Sequence, residues 1–242
     1  LVHANYWLSG MAGHRLKHEW NLPLVTTFHT FARVKGLGGD IESPVREKSE
    51  LEIIGCADAI CVSCPEERSQ FESLYGSAPG TIEVVAPGVE RAFFSPGDRR
   101  GARHALGLGS GPILLFVGRI QPHKGPEVLI RATSELVKHS PHLRPKLVVN
   151  VIGGASGANG EEVERLQELT TWLGIDDVVR FMPPTPRADL PQWYRAADLV
   201  CVPSYSESFG LVALEAQACG TPVVATAVGG LRTAVADGIS GV

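Results

Sequence analysis

Two carboxylates eight residues apart, Glu207 and Glu215, flank a small segment, Ser208-Phe209-Gly210, and an apolar run with helical spacing, Leu211, Val212, Leu214 and Ala218. Upstream, Leu199-Val200-Cys201-Val202 is a continuous apolar run of strand length. The unit therefore reads as strand, loop, helix, with Gly210 at the helix start and Gly220-Thr221-Pro222 at its end. A helix N-terminus after a parallel strand offers unpaired backbone N–H groups and the positive end of the helix dipole to a phosphate. Glu215, about a turn into the helix, is then placed for the vicinal hydroxyls of a ribose. Glu207, in the loop, faces what hangs from the far end of a diphosphate. Glutamates on a helix are ordinarily solvated charges, so the weight rests on the residues around the pair.

Arg119 and Lys124 lie in GRIQPHKG, between an apolar strand and a helix. A guanidinium and an ammonium at that place can neutralise a diphosphate leaving group as its charge grows; by spacing alone they also read as surface cations. His29 ends the strand-like Leu24–His29, where a packed core histidine is the ordinary alternative. Tyr6, Thr30 and Arg46 supply two hydroxyls and a forked guanidinium, enough for a small phosphate-monoester clamp. Each also has an ordinary reading, as core aromatic, turn residue and solvated helix residue. Gly153-Gly154-Ala155-Ser156-Gly157 and Gly229-Gly230 are positions where backbone can approach a nucleotide closely.

These residues need an alternating scaffold to hold them. Strands are expected at Leu1–Ala4, Leu24–His29, Ala59–Ser63 and Ile82–Ala86, with helices at Ser9–Trp20, Pro44–Ala57 and Pro65–Tyr75 between them. Thr30–Ile41 reads as a Gly-rich loop. After Pro87 the period is lost until Gly111, a Gly-, Pro- and Arg-rich stretch read as a linker. Alternation resumes with strands at Ile113–Val117, Leu147–Ile152, Val178–Met182, Leu199–Pro203 and Val223–Ala227, and helices at Pro126–Lys138, Glu161–Trp172, Asp189–Ala196 and Leu231–Ala236. The fold class is α/β with two Rossmann-like parallel sheets, a first domain at 1–96 and a second at 97–242 that includes linker 97–110. Ligands in such sheets bind at the carboxyl ends of strands, which gathers the candidate residues along one expected cleft.

Composition sets bounds on function. The 242 residues carry a net charge of −4, against a nucleic-acid-binding face. No apolar run approaches the ~18–20 residues that span a bilayer, and no leader precedes the first strand, so a cytoplasmic protein without an integral membrane segment is expected. The five cysteines are an odd count, fitting reduced thiols better than a disulfide framework. Cys61-Val62-Ser63-Cys64 has the spacing of half a zinc site, with no second Cys pair and no suitable His pair seen to complete it. The chain opens on strand-like Leu1-Val2-His3 and stops at Gly241-Val242, so a piece of a longer protein is expected. The first domain then lacks its opening strands and the second its end.

The E-x7-E spacing, the SFG after Glu207 and the EAQACGTPVV after Glu215 resemble the signature of the retaining glycosyltransferases of family 4, which have the GT-B fold. That resemblance implies donor contacts at Arg119, Lys124, Glu207, Glu215 and, through its main chain, Thr185. It implies catalytic roles for His29, Arg119, Lys124 and Glu207, and an acceptor-phosphate site at Tyr6, Thr30 and Arg46. Oxygens around Tyr194, Arg195, Ala197 and Thr221 match positions assigned to a magnesium ion, which is not essential on this reading. NYWLSG, GRIQPHKGPEVLI, VIGGASG and ESFGLVALEAQACGTPVVATAVGGL, with Gln121 and Gln217, resemble more closely the members that transfer N-acetylglucosamine from UDP to 1D-myo-inositol 3-phosphate in mycothiol biosynthesis. The implied partners are a UDP-sugar and a small phosphorylated polyol, with a homodimer as an optional assembly. Alternatives are a sucrose-phosphate-type transferase with another acceptor, or a nucleotide-binding fragment that transfers nothing. The chain as it stands is expected to bind UDP without transferring sugar.

Overall fold

The structure, a computed structural model, describes residues 1–37, 42–154 and 160–242. It divides into two compact units, Leu1–Pro87 and Gly88–Val242, each α/β with a wholly parallel sheet. The sequence-based boundary at 96/97 falls inside the second unit.

The first unit runs β1 (Val2–Asn5), α1 (Tyr6–Trp20), β2 (Leu24–Thr27), α2 (Ala32–Leu37), α3 (Pro44–Ile54), β3 (Ala59–Val62), α4 (Pro65–Tyr75) and β4 (Thr81–Val84). Its sheet has the order β1-β2-β3-β4, with Asn5 beside Thr27 and Thr26 beside Ile60. Pro44 and Pro65 open α3 and α4, each behind a capping side chain, Ser43 and Cys64. Phe28, Phe31, Ile53, Ile60 and Phe71 fill the core.

The expected loop at Thr30–Ile41 is corrected here, because Ala32–Leu37 is helical. Its first backbone N–H is satisfied from another element: Ala32 N donates to both oxygens of Glu50, at 3.1 and 2.9 Å. A cap that comes from α3 leaves no local signature.

The second unit runs α5 (Arg99–Ala105), β5 (Ile113–Val117), α6 (Pro126–His139), β6 (Val148–Ile152), α7 (Glu161–Trp172), β7 (Val179–Met182), α8 (Leu190–Ala196), β8 (Leu199–Val202), α9 (Leu211–Ala218), β9 (Val223–Ala225) and α10 (Leu231–Ala234). The strands line up as β7-β6-β5-β8-β9. Continuous apolar runs form the central strands because both faces are buried.

The expected linker also needs correction. Arg99–Ala105 is a helix capped by Asp98, whose carboxylate accepts from Arg100 N at 2.9 Å. Arg99 and Arg103 both pair with Asp198, a tertiary contact that outweighs the local Gly and Arg content. Phe94 packs against Tyr194, and Arg195 donates to the Ser95 carbonyl at 2.8 Å. The residues just after Pro87 therefore belong to this unit.

Candidate functional site

Strand order places the second-unit site. From β5 the chain crosses to β6 and β7 on one side, then returns to β8 and β9 on the other. β5 and β8 pair directly, Leu114 beside Leu199 and Leu115 beside Val200. Their carboxyl ends thus diverge at the topological switch point, where open α/β sheets bind ligands. The two loops leaving these ends are stitched together: Tyr205 N donates to the His123 carbonyl at 2.8 Å. Gly125 lies so close to β8 that a Cβ there would sit 2.1 Å from the Pro203 carbonyl oxygen.

This contact brings Lys124 to Glu207. Lys124 Nζ lies 2.7 Å from Glu207 Oε2, with the side chains 21% and 15% exposed, and Ser204 Oγ donates to the same oxygen at 3.2 Å. Glu207 is held from behind by its own carbonyl, which accepts from Gly230 N at 3.0 Å. A Cβ on Gly229, at φ 46°, would meet that carbonyl oxygen at 2.1 Å. An ammonium has three donors, so Lys124 can hold Glu207 and still offer hydrogens to an anion.

Glu215 lies in α9 and is 9% exposed. Tyr194 Oη, wholly buried, donates to its Oε2 at 2.9 Å, and the Arg187 guanidinium stands 3.9 Å from Oε1. Burial pushes the Glu215 carboxyl above its usual range, against the opposite pull of the Tyr194 hydroxyl and Arg187. The same burial, with Glu215 beside it, pushes the Tyr194 hydroxyl up, so Tyr194 stays a donor. The sequence assigns Tyr194 only an oxygen near a possible ion; the i, i+21 relation of its side chain to Glu215 has no periodic signal.

Arg119 is exposed and, among the described residues, makes no hydrogen bond or ion pair. Gln121 Oε1, two residues on, is buried with no hydrogen-bond partner. Thr185 is half-buried after β7. Of the Gly153–Gly157 loop, Gly153 and Gly154 are described and the rest lies outside the described residues, as do residues 38–41 of the expected Thr30–Ile41 loop.

Two of the oxygens matched to a magnesium ion, the Tyr194 and Ala197 carbonyls, accept from the protein's own donors. Thr221 Oγ1 donates to the Tyr194 carbonyl at 2.6 Å, Arg99 donates to the Ala197 carbonyl at 3.2 Å, and the Arg195 side chain turns away to Ser95. A hard cation requires several oxygen ligands, and here the Arg99 guanidinium already stands on one of them, the Ala197 carbonyl.

In the first unit, the carboxyl ends of β1 and β2 carry Asn5, Tyr6 and His29. Tyr6 and His29 are both held at positive φ, 71° and 61°, a conformation that costs non-glycine residues about 1–3 kcal/mol and gathers at functional sites. His29 is exposed, and its Nε2 lies 2.9 Å from Asn5 Oδ1, a partner that adjacency of the two strands supplies. Arg46 does meet the other two expected residues: its guanidinium sits 5.1 Å from the Tyr6 ring centroid, and Nη2 donates to the Thr30 carbonyl at 2.9 Å. It is not a solvated residue. Arg46 is 2% exposed and paired with Glu50 at 2.8 Å and Glu42 at 3.0 Å. Glu50, fully buried, also accepts from Tyr75 and from Ala32 N. The two acidic partners of Arg46 escaped sequence reading, although Glu42 and Glu50 stand at i−4 and i+4 from it.

The chain belongs to the glycosyl transferases group 1 family, whose profile matches residues 98–242. A profile described as glycosyl transferase 4-like domain matches residues 1–88. Within the family the chain is 52% identical to the D-inositol 3-phosphate glycosyltransferase of Kribbella flavida. It is 51% identical to D-inositol 3-phosphate glycosyltransferase 2 of Catenulispora acidiphila. Both matches cover all of this chain and 58% of the relative. Among solved structures, it resembles a sucrose-phosphate synthase from Thermosynechococcus elongatus at TM-score 0.88 and 33% identity, covering 99% of this chain and 59% of that one. Anabaena HepE in complex with UDP matches at TM-score 0.83 and 26% identity, covering 99% and 63%. The fold is that of GT-B glycosyltransferases.

Proposed function

We propose that this chain carries the donor site, and part of the acceptor site, of a retaining glycosyltransferase that moves N-acetylglucosamine from UDP to 1D-myo-inositol 3-phosphate. The observation that carries this is the Lys124–Glu207 pair at the β5/β8 switch point. The names of the relatives and the UDP bound to HepE support the choice of substrates. On this reading Glu215 accepts the ribose hydroxyls, with Tyr194 fixing its orientation, and the Thr185 main chain faces the uracil. Arg119 and Lys124 bind the diphosphate. As the glycosidic bond breaks, charge builds on the leaving phosphate, so these two cations act most strongly in the transition state. Glu207 positions Lys124 and the sugar, and the catalytic role assigned to the first unit falls to His29.

The acceptor phosphate falls to Tyr6, Thr30 and Arg46. Glu42 already neutralises part of Arg46, so the phosphate must displace that carboxylate or share the guanidinium with it. A second reading, a fructose 6-phosphate acceptor, is favoured by the likeness to sucrose-phosphate synthase.

Calorimetric titration with UDP tests the donor site: tight binding that Glu215→Gln weakens is expected, and no binding removes both readings. A panel of UDP- and GDP-sugars against inositol 3-phosphate and fructose 6-phosphate separates the acceptors. Transfer to fructose 6-phosphate alone would replace the first reading with the second.

A further inference from the structure

Three side chains converge at the opposite end of the first sheet from His29. His14 and His18 stand one turn apart on the same face of α1, and their rings meet edge-on with centroids 4.8 Å apart. Cys56, two residues past α3, reaches the same place, its Sγ 2.9 Å from His18 Nε2. One ligating atom from each of the three lies within 4.8 Å of the others. The backbone around them is pinned. Gly10 on α1 faces Ile53 of α3 so closely that a Cβ there would lie 2.7 Å from Ile53 Cδ1. Lys17 on α1 pairs with Asp58, whose carboxylate also accepts from Leu24 N at 2.7 Å. Leu24 opens β2 and Asp58 precedes β3, so the cluster sits at the amino ends of the strands.

We propose that His14, His18 and Cys56 form a binding site for a divalent transition ion of the zinc class, with water in the fourth position. Two imidazoles and a thiolate are the donor set that borderline-soft ions take, and they exclude magnesium and calcium, which require oxygens. Tetrahedral zinc separates its nitrogen and sulfur ligands by about 3.4–3.6 Å. Small rotamer changes reach that spacing from the present one. The site draws nothing from the Cys61-x2-Cys64 spacing: Cys64 is buried and its Sγ accepts from Glu67 N at 3.4 Å, capping α4. The His pair not seen in the sequence lies on α1, some forty residues away from its cysteine. A bound ion would tie α1, which carries Tyr6, to the end of α3, which carries Arg46. The inference is independent of the donor-site reading.

The test uses the reduced 242-residue chain in a non-chelating buffer, titrated with Co2+ and then Zn2+. Expected are one ion per chain, a thiolate-to-cobalt charge-transfer band with the strong visible absorption of four-coordinate cobalt, displacement of both by Zn2+, and a higher melting temperature with zinc. Cys56→Ser should abolish the charge-transfer band, and Cys61→Ser should keep it. His18→Ala, at an exposed position where folding is preserved, should lose zinc affinity by about tenfold or more, since even groups that merely support a ligand are worth ~10–100-fold. No charge-transfer band, a band that survives Cys56→Ser, or undiminished zinc affinity in His18→Ala would each overturn the proposal.

Discussion

Glu215 carries a carboxylate into a nearly dry position because Tyr194 waits there to donate to it. Burial holds its carboxyl above the usual range, against the pull of Tyr194 and Arg187. A carboxyl raised in the fold favours the folded state fully below its unfolded pKa, and that contribution is lost as pH rises through the folded pKa. At neutral pH the charge is therefore held at a cost to stability, a cost that suits a group kept for a ligand. Glu215→Gln, which can still accept from Tyr194, should melt no lower than the parent at pH 7, yet weaken UDP binding by about 1–3 kcal/mol. UDP affinity of the parent should fall on acidification below neutrality, as the Glu215 carboxylate takes up a proton. Comparing the two proteins by calorimetry removes UDP's own titration; parallel curves would show that Glu215 does not bind the nucleotide. On the proposed function Lys124 differs in kind, because its charge would act most on a charged leaving group. Where transfer is assayed, Lys124→Ala should lower turnover more than it weakens UDP binding. Equal losses would mean that Lys124 only holds the nucleotide.

At the scale of elements, the proposed donor site is two loops locked to each other. α9 begins where Gly210 leaves the Glu207 loop, and the Gly229-Gly230 turn before α10 closes over that loop from the other side. Gly229→Ala would place a methyl on the Glu207 carbonyl oxygen, and backbone on that side cannot yield as a flexible side chain would. We expect a loss of about 1–3 kcal/mol in stability, the scale of overpacking, together with weaker UDP binding as Glu207 moves off Lys124. Gly174→Ala is the control: φ is also positive, at 65°, but nothing lies within 4 Å. It should cost some stability and leave UDP affinity unchanged. Denaturant unfolding and UDP titration of both variants decide; unaltered UDP affinity in Gly229→Ala would separate the turn from the site.

Across the whole molecule, each unit has its own buried core. Arg46 and Glu50 form a buried pair in the first unit. Removing the Glu50 charge leaves Arg46 with Glu42 alone, so the loss should fall below the ~3–5 kcal/mol of breaking an isolated buried pair. Glu50→Gln should therefore speed hydrogen exchange in β2 and β3 while leaving exchange in β5 and β8, and UDP affinity, as they were. A matching fall in UDP affinity would show that the units are energetically coupled. The chain spans 58% of the length of relatives that cover it end to end, and no helix among the described residues is long and apolar enough to cross a membrane.

The sequence by itself determined whatever is local. Periodic runs set α4, α7 and β5 at the residues expected, Gly210 and Gly220 bounded α9, and the alternation of strands and helices dictated two parallel sheets. The stretch around Glu207 and Glu215 was legible because a strand, a loop and a helix start lie within twenty residues. Tertiary structure decided what depends on partners far along the chain. α2 exists because Glu50 caps it, and α5 because Asp198 gathers Arg99 and Arg103. Strand order, which no local pattern encodes, put β8 beside β5 and so Lys124 against Glu207. Arg46, solvated on its sequence pattern, is buried because Glu42 and Glu50 neutralise it and Tyr6 covers it. His14, His18 and Cys56 meet only because α1 folds back antiparallel to its strand and packs on α3. Side-chain chemistry is written in the sequence, but charge pairing and burial are settled by which elements become neighbours.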